Sequence, residues 1–261
     1  MKRTYVKLLT VAGLTGCFLF TSCRSAQETT ARYEISKVEG NMITIDSTWD
    51  ANPDKKATTV LKPYKDKVDA MMYEVIGTSE MKMDKGTPES LLSNLVASVL
   101  QEAAAQVLGK PADMGLVNMG GLRNILPKGD ITVGAVFEIL PFENSLCVLT
   151  MKGTDMKRLF KAIASLHGEG VSGIRLEINK KGELLNATIG GKPVVDDQLY
   201  TVATIDYLAD GNGRMDAFLQ AEKRECPEDT TLRGLFLDYV RKQTAEGKII
   251  TSKLDGRITV K

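Results

Sequence analysis

The sequence predicts an α+β fold in which a mixed sheet packs against helices. Segments of helical and strand-like periodicity follow one another without the strict strand–helix–strand alternation of a doubly wound sheet. Helical spacing is clearest in residues 87–109, and strand-like apolar runs bounded by turn residues recur from residue 115 onward. The length of 261 residues is enough for one domain with a small appendage.

Residues 1–22 have the organisation of a bacterial lipoprotein signal peptide. Three basic residues precede an apolar run, Leu8–Phe20, which is too short to span a bilayer. The run ends in the letters FTSC, which resemble a lipobox, so Cys23 is predicted to carry the lipid and to become the new N-terminus. An ordinary secretory signal with an incidental cysteine is the alternative.

A lipid on Cys23 would tether a soluble domain to a membrane of the cell envelope through the polar stretch RSAQETTAR. Arg24 stands where an aspartate would indicate inner-membrane retention, so the sequence favours the outer membrane, with the domain facing the periplasm or the cell surface. Loss of residues 1–22 removes three of the 34 Lys and Arg residues and leaves 33 Asp and Glu, so the mature net charge is −2. This charge predicts no nucleic-acid partner.

The mature chain begins with an appendage, residues 23–67, that is predicted to contain the tether, a small hairpin and a connector. Alternating apolar residues predict hairpin strands at Tyr33–Val38 and Met42–Ile45, joined by a glycine turn. A polar segment follows, and the apolar residues within Leu61–Ile76 fit either a short helix or an extended connector. The main domain is therefore predicted to occupy residues 68–261.

The main domain opens with the strongest helix signal of the sequence. Thr87 is a suitable N-cap, Pro88 fits the first turn, and Gly109 ends the apolar residues at helical spacing. The letters GLVN predict a short strand. The segments ITVGAVFEIL and SLCVLTM also have strand-like composition, and they meet at a turn around Pro141 and Asn144.

Two further helices alternate with strands in the second half of the chain. One helix is predicted from about Thr154 to Gly168, and the other in the segment TTLRGLFLDYVRKQTAEG. The segments GIRLEIN and ELLNATI alternate and form a predicted hairpin around Gly182. LYTVATI and GRITV predict single strands.

Two cysteines, Cys147 and Cys226, remain in the body of the mature chain. A disulfide between them is permitted in the periplasm, but the sequence does not require it. Because Cys147 lies in an alternating apolar run, a buried thiol is at least as consistent with the sequence.

The sequence offers no recognisable set of catalytic or metal-ligating residues. The one histidine, His167, lies at the end of a predicted helix, where a structural or surface role is favoured over catalysis. There is no HxH, HExxH or CxxC pair for a metal, no nucleophile elbow and no Walker A motif. We therefore expect no catalytic residue, no metal ligand set and no cofactor in this chain.

A glycine pair flanked by polar side chains is the first candidate binding element. Asn118 and Arg123 bracket Gly120 and Gly121, whose missing side chains would let a ligand approach backbone N–H groups. Arg123 offers a planar fork of donors for phosphate or carboxylate, and Asn118 can donate to or accept from a hydroxyl or a ring nitrogen. A tight turn with a surface arginine is the alternative.

Two aromatic residues at the ends of predicted strands form the second candidate element. Phe142 follows Pro141, and Tyr207 lies in the segment ATIDYLADGNG, where a strand runs into a glycine-rich loop. Two such rings can sandwich a nucleobase, with stacking worth roughly 1–3 kcal/mol per base. The alternatives are a core phenylalanine and a turn with a packed tyrosine.

The order of these motifs resembles the C-terminal domain of the 5'-nucleotidase family, which also includes UDP-sugar hydrolases and cyclic-nucleotide phosphodiesterases. The resemblance covers about residues 68–261 and rests on NMGGLR, GDITVGAVFEILPFEN, LTMKG and LYTVATIDYLADGNG, in that order. It implies the fold of that domain, a substrate-binding asparagine and arginine at Asn118 and Arg123, and base-stacking aromatics at Phe142 and Tyr207.

The sequence departs from the family pattern at three places. The family's glycine loop carries an aspartate, whereas this chain reads Gly211, Asn212 and Gly213, so the acidic contact is either missing or replaced by Asp210 or Asn212. A family arginine before the first long helix has no match in DKGTPESLLSNL. About 45 residues precede the matched region after signal removal, and they lack the metal-ligand histidines of the family's N-terminal metallophosphoesterase domain.

These observations leave three classes of function open. The chain would recognise nucleotides or nucleosides in nucleotide catabolism, with hydrolysis supplied by a separate metallophosphoesterase subunit that carries the divalent metal. Alternatively, it is a stand-alone nucleotide-binding lipoprotein without catalysis, or a structural or partner-binding remnant. The identity of the base or sugar, the existence of a catalytic partner and the oligomeric state are not predicted.

Overall fold

The computed structural model describes residues 34–261. The signal peptide, Cys23 and Tyr33, with which the predicted hairpin would begin, lie outside the described residues. The chain divides into two compact units, Met1–Asp54 and Lys55–Lys261, and the second contains all the α-helices and strands of the described residues.

The described part of the first unit has no β-strand. Residues 34–45 are irregular, and a single 3-10 turn follows at Ser47–Ala51, capped by the Asp46 carboxylate, which accepts from the Thr48 N–H at 2.9 Å. The hairpin prediction is therefore wrong for these residues. Its apolar side chains, such as Ile35 and Met42, stay exposed, so they gain no burial to offset the cost of ordering two strands.

The second unit contains the elements that position the rest of the chain. Its helices are α1 (Lys55–Met72), α2 (Leu91–Ala103), α3 (Ala105–Leu108), α4 (Val133–Ile139), α5 (Gly153–Ser165), α6 (Asp206–Ala209) and α7 (Leu232–Ala245). Its strands are β1 (Val75–Ser79), β2 (Met114–Val117), β3 (Gly129–Thr132), β4 (Leu146–Lys152), β5 (Gly170–Ser172), β6 (Ile174–Ile178), β7 (Leu184–Ile189), β8 (Lys192–Pro193), β9 (Leu199–Ile205), β10 (Lys223–Glu225) and β11 (Ile258–Val260).

The sequence left open whether Leu61–Ile76 forms a short helix or an extended connector. Most of this segment belongs to the longer helix α1. It runs through position 68, so the predicted boundary of the main domain falls inside a helix. Pairs four residues apart support it, with Lys62 Nζ 3.0 Å from the Asp66 carboxylate and Lys65 paired with Asp69. Such pairs stabilise a helix by about 0.2–0.5 kcal/mol each, and none of the residues of α1 is buried.

Helix α2 begins three residues later than its predicted cap. The Ser90 hydroxyl, not that of Thr87, accepts from the backbone N–H of Ser93, at 3.4 Å, and Pro88 lies before the helix. The predicted end is confirmed, because Gly109 follows α3 in the left-handed conformation, with a φ of 72°.

The predicted strand ITVGAVFEIL is only partly correct, because the segment splits into β3 and α4. The Thr132 hydroxyl accepts from the backbone N–H of Ala135 at 3.1 Å and so caps a helix in the middle of the apolar run. Val133, Val136 and Ile139 recur at helical spacing and bury one face of α4. A short apolar run is compatible with either helical or strand periodicity. Here the Thr132 cap favours the helix.

Three sheets are present in the described residues. The largest has the order β10-β4-β9-β2-β5, in which only β2 and β9 are parallel, so the sheet is mixed as predicted. The second has the order β11-β6-β7-β8, and β1 pairs with β3 in the third. The predicted hairpin of β6 and β7 is confirmed, with Gly182 at its turn in the left-handed region at φ 78°.

Helix α2 covers one face of the five-stranded sheet and packs against β2, β5 and β9. Leu91–Leu108 is long and apolar enough for a membrane span by length and composition, yet 56% of this window is buried inside the fold, as in a core helix. The approach to the sheet is close. A Cβ on Gly115 would lie 2.2 Å from the Ala97 carbonyl oxygen, so only glycine fits at that point of β2.

A disulfide joins Cys147 in β4 to Cys226, just after β10. The sequence alone left this pairing undecided. The bridge becomes possible because β10 pairs with β4 antiparallel, with Glu225 opposite Val148, which brings the two cysteines to a Cα–Cα distance of 4.2 Å.

Removal of this disulfide is expected to destabilise the protein. The two cysteines are 79 residues apart, and a closed loop of that length is assigned about 4.5 kcal/mol in the chain-entropy account. We expect urea unfolding of the Cys147→Ala/Cys226→Ser variant to give a free energy of unfolding about 2–4 kcal/mol below that of the oxidised wild type. Reduced wild type is the control and should behave like the variant. An unfolding midpoint that reduction leaves unchanged would contradict the bridge.

Candidate functional site

A cavity of about 330 Å³ opens at one edge of the five-stranded sheet. Because β2 and β9 are parallel, the loops that follow them leave the sheet at the same edge, and antiparallel β4 starts there, with Leu146 opposite Ile205. Three loops therefore meet at this point. They contribute the lining residues Asn118, Gly120, Gly121, Phe142, Asn144 and Tyr207.

The floor of the cavity is the turn that follows β2. Met119–Gly121 form one turn of 3-10 helix, closed by the Gly121 N–H, which donates to the Asn118 carbonyl at 3.0 Å. The Asn118 amide lies against the glycines: a Cβ on Gly121 would be 3.0 Å from Oδ1, and one on Gly120 would be 3.4 Å from Nδ2. The glycines thus leave room for the amide.

The Asn118 Oδ1 atom is buried and has no hydrogen-bond partner among the described residues. Buried polar atoms of native proteins are nearly always paired, so an unpaired acceptor at the wall of a cavity indicates a donor that arrives with a ligand or with water. A hydroxyl or an amino group would satisfy it.

The turn is also held by Glu169, through a hydrogen bond from Met119. No sequence motif identifies this glutamate as a site residue. The residue is 9% exposed, and its carboxylate accepts from the backbone N–H of Met119. Burial raises the pKa of Glu169 to about 7, and the hydrogen bond from Met119 opposes part of that rise. The conformation of the Asn118 turn is therefore coupled to a carboxyl group that titrates near neutral pH.

Arg123 lies beside the cavity and not in its wall. Its backbone N–H donates to the Ile139 carbonyl at 2.8 Å, and its Nη1 lies 3.4 Å from the Gly120 carbonyl oxygen. The side chain is otherwise exposed, so the guanidinium can meet an anionic group at the mouth of the cavity.

The loop that carries Phe142 is anchored by Arg233, a residue of α7 that sequence reasoning missed. The guanidinium is almost fully buried and donates to the Leu140 carbonyl at 3.1 Å. It also forms an ion pair with Glu143 and lies 4.1 Å from the centroid of the Phe137 ring. Phe142 thus lies between Leu140 and Glu143, which are both anchored by Arg233.

Phe142 and Tyr207 both line the cavity, one on the loop before β4 and the other at the start of α6. Phe142 is 48% exposed and Tyr207 is 43% exposed, so neither is a core residue, and among the described residues they form no ring–ring contact with each other. Asn144 completes the wall and donates from Nδ2 to the Asp206 carboxylate at 3.0 Å, which ties the two loops together.

The glycine-rich loop after α6 lies outside the cavity wall. Asp210, predicted as a ligand contact, forms an ion pair with Arg224 at 2.6 Å. A Cβ on Gly211 would meet the Leu219 side chain at 3.1 Å, so that glycine serves packing, and Asn212 is exposed. These three predicted site residues are therefore not brought together with Asn118.

The described residues contain no group of three or more His, Cys, Asp or Glu side chains placed to hold a metal ion. His167 lies two residues after α5, at a φ of 60°, and does not line the cavity. The arrangement can therefore hold and orient a small molecule through flat apolar faces and polar groups. Its lining residues include no His, Cys, Ser, Thr, Lys, Asp or Glu.

A larger cavity, of about 660 Å³, lies at the opposite end of β2, where Asp113 and Gln101 contribute to its wall. Two of its polar side chains already have partners: the Asp113 carboxylate accepts from the Thr201 hydroxyl at 2.9 Å, and Gln101 donates to the Ala112 carbonyl at 2.9 Å. The smaller cavity, with the unpaired Asn118 oxygen and two half-exposed rings, is the better candidate site despite its volume.

The candidate cavity lies where three loops of the mixed-sheet domain meet. The model of the family described as 5'-nucleotidase, C-terminal domain, matches residues 75–220 of the chain. Because the match covers more than half of the chain, the protein belongs to the 5'-nucleotidase C-terminal domain family. The resemblance that the motifs suggested is confirmed.

Known relatives share this region within longer chains. The endonuclease YhcR of Bacillus subtilis is 28% identical over 188 residues, which are 69% of this chain and 15% of the relative. The trifunctional nucleotide phosphoesterase protein YfkN of the same organism is 27% identical over 238 residues, covering 84% of this chain and 16% of the relative.

The crystal structure of the 5'-nucleotidase precursor from Thermus thermophilus matches with a TM-score of 0.67 and 26% identity. The match covers 81% of this chain and 44% of that chain, and it confirms the predicted α+β fold. The chain therefore spans less than half of the length of each of these three proteins.

The stability of the wild type is expected to depend on pH through Glu169. Its pKa is about 7 in the folded protein and 4.5 as its ordinary value, so between these values the folded state binds more protons than the unfolded state. Stability from this group is complete below pH 4.5 and is lost as the pH rises through 7, by on the order of 3 kcal/mol.

The Glu169→Gln variant keeps an acceptor for the Met119 N–H but does not titrate, so its free energy of unfolding should vary less between pH 5 and pH 8. Urea unfolding of both proteins at the two pH values measures the difference, and Glu80→Gln, at an exposed glutamate, is the matched control. Identical pH dependence in the wild type and the Glu169 variant would show that the carboxyl group does not titrate as described.

Proposed function

We propose that the protein binds a nucleotide or a nucleoside in the cavity between Phe142 and Tyr207. The observation that supports this most is the unpaired, buried Asn118 Oδ1 at the wall of a cavity with two half-exposed aromatic rings. A nucleoside matches both features, because its base offers a flat face to the rings and its hydroxyl or amino groups offer donors to the amide oxygen.

The polar end of the ligand would lie towards the glycine turn. The side chains absent at Gly120 and Gly121 let a ligand come close to the backbone, and Arg123 is exposed beside them. A phosphate at this end would meet the guanidinium at the mouth of the cavity. The polar contact expected from Asp210 or Asn212 is not part of this proposal, because neither lines the cavity.

Hydrolysis, in this proposal, belongs to a separate metallophosphoesterase subunit that carries the divalent metal. Two facts support it: the described residues gather no metal ligands, and one relative, YfkN, is named a trifunctional nucleotide phosphoesterase. We further propose that a lipid on Cys23 holds the protein at the outer membrane. A stand-alone binding protein and a structural remnant are the competing functions.

Calorimetric titration with AMP, adenosine and UDP-glucose tests the binding proposal. We expect at least one of them to bind the wild type, and Phe142→Ala and Tyr207→Ala each to weaken binding by about 5- to 150-fold, which corresponds to the stacking energy of one base. Leu185→Ala is the matched control, because Leu185 is similarly exposed but lies on β7 in another sheet.

Two results would overturn the proposal. No binding at millimolar ligand would leave only the structural remnant, and binding that both aromatic variants retain in full would place the ligand elsewhere. Phosphatase assays with divalent metal then separate the remaining classes. Activity that requires a second polypeptide supports the split enzyme, whereas robust activity of this chain alone contradicts it.

A further inference from the structure

The disulfide between Cys147 and Cys226 lies beside the candidate site, and its two ends differ in accessibility. Cys147 is fully buried in β4, whereas Cys226 is exposed just after β10, an edge strand of the sheet. Reagents in solution therefore have access to Cys226, and Cys147 is shielded from them. Exposed disulfides are more readily reduced than buried structural ones.

One guanidinium lies against both sulfurs of this bridge. Arg224 Nε donates to Cys226 Sγ at 3.3 Å, and Nη2 lies 3.9 Å from Cys147 Sγ. A positive charge at this position stabilises the negative charge that develops on a sulfur when the S–S bond breaks. The arrangement therefore favours attack at the exposed Cys226 sulfur, with the buried Cys147 sulfur as the leaving group.

The same arginine connects the bridge to the helix that carries Tyr207. Its Nη1 lies 2.6 Å from a carboxylate oxygen of Asp210, the residue that directly follows α6. The Asp210 N–H in turn donates to the Asp206 carbonyl, at the start of that helix, at 2.9 Å. Arg224 thus links the disulfide to the element that holds one ring of the cavity.

The chain between β10 and α7 runs along the opposite wall of the cavity. The Leu146 N–H donates to the Thr230 carbonyl at 2.8 Å, and the Leu232 N–H donates to the Asn144 carbonyl at 2.8 Å. Residues 226–232, here called the connector, are thereby fixed to Asn144, which lines the cavity. The disulfide closes one end of this contact, and α7 begins at the other end.

Helix α7 extends this connection to the loop of the second ring. Its second residue, Arg233, directly follows the connector. The Arg233 guanidinium holds Leu140 and Glu143, which flank Phe142. A displacement of the connector would therefore reach both Asn144 and the Phe142 loop. Together with the link through Arg224, the bridge secures the elements behind both rings of the cavity.

We propose that Cys147–Cys226 is a thiol–disulfide exchange site that controls ligand affinity. The oxidised protein binds its ligand tightly, and reduction by a protein dithiol of the cell envelope weakens binding. The sensitive element is the connector, because reduction removes its covalent attachment to β4. The control of affinity rests on the proposed function, whereas the exchange chemistry does not.

Two electrons and two protons pass from the dithiol to the protein in this exchange. A thiolate of the dithiol attacks Cys226 Sγ and forms a mixed disulfide, and the electron pair of the broken S–S bond leaves with Cys147 Sγ, which is then protonated. The second thiolate of the dithiol closes that molecule's own disulfide and displaces Cys226, which is protonated to a thiol. The dithiol is thereby oxidised and the bridge is reduced.

The rate of reduction tests the exchange site. The sample is the mature chain with Cys23→Ser, whose remaining cysteines are those of the bridge, and dithiothreitol is the dithiol. We expect Arg224→Gln to slow the reduction about threefold, which is within the range for a partly exposed charge pair. Lys223→Gln removes the same charge from the neighbouring residue, which pairs with Glu225, and should match the wild type.

Calorimetric titration with AMP tests the control of affinity. The oxidised wild type should bind AMP at least about fivefold more tightly than wild type kept in dithiothreitol, which is the lower end of typical coupling between two sites. The Cys147→Ala/Cys226→Ser variant should bind like the reduced wild type with or without dithiothreitol. This variant shows that the reductant acts through the bridge.

Hydrogen exchange of the oxidised and reduced proteins locates the change without any ligand. Reduction should raise the exchange rates of the Leu146 and Leu232 amides, which bond along the connector, at least about threefold more than those of the β6–β7 hairpin. The hairpin is the internal control for global stability, because it lies in another sheet.

Three results would overturn the inference. Equal AMP affinity of the oxidised and reduced proteins would leave the bridge a purely structural one, as would an equal rise of exchange along the connector and in the hairpin. Reduction of Arg224→Gln at the wild-type rate would remove the arginine from the exchange site. Absence of AMP binding to the oxidised protein would contradict the proposed function and with it the control of affinity, while the rate and hydrogen-exchange measurements would still decide the exchange site.

Discussion

The parallel pairing of β2 and β9 is the constraint on which the candidate site depends. Met114 pairs with Val202 and Gly115 with Ala203, and this short parallel register sends the Asn118 turn and the Tyr207 helix out of the sheet at the same edge. Antiparallel β4 adds the Phe142 loop there. The pairing itself needs close contact with α2, which Gly115 permits because it has no side chain. The geometry of the candidate site is thus a consequence of strand direction in a mixed sheet.

The sequence predicted the parts of the site that a local motif can encode. Asn118, the two glycines and both aromatics were identified from strand ends and turn residues, and the structure gathers them around one cavity. Glu169 and Arg233 were missed because each acts through a contact with a distant segment, 50 and 93 residues away, that no local pattern contains. The prediction of Asp210 as a ligand contact was wrong for a related reason. The residue is an acid at the expected position in the chain, but its carboxylate forms an ion pair with Arg224 of β10.

The fold was predicted well where the spacing of apolar residues fits only a helix or only a strand. It was predicted poorly where that spacing fits both. α5, α7, β4 and β9 have clear periodicity and are present as predicted. The segment that became β3 and α4 has an apolar run that fits either period, so the Thr132 cap decided its structure. The disulfide was undecidable from spacing alone, because it depends on the antiparallel register of β10 and β4. Together these cases show that the sequence carries local structure more clearly than the tertiary contacts that select between alternatives.

In the proposed function, the candidate site holds the ligand, and a separate subunit supplies the groups that carry out the reaction. This division explains why the anchoring residues Arg233 and Glu169 are buried while Phe142, Tyr207 and Arg123 stay accessible. A crystal structure of the protein with AMP is the most direct test of this account. It should place the adenine between Phe142 and Tyr207, with a hydroxyl or amino group of the ligand donating to Asn118 Oδ1. AMP seated beside Asp113 in the larger cavity, or outside both rings, would contradict it.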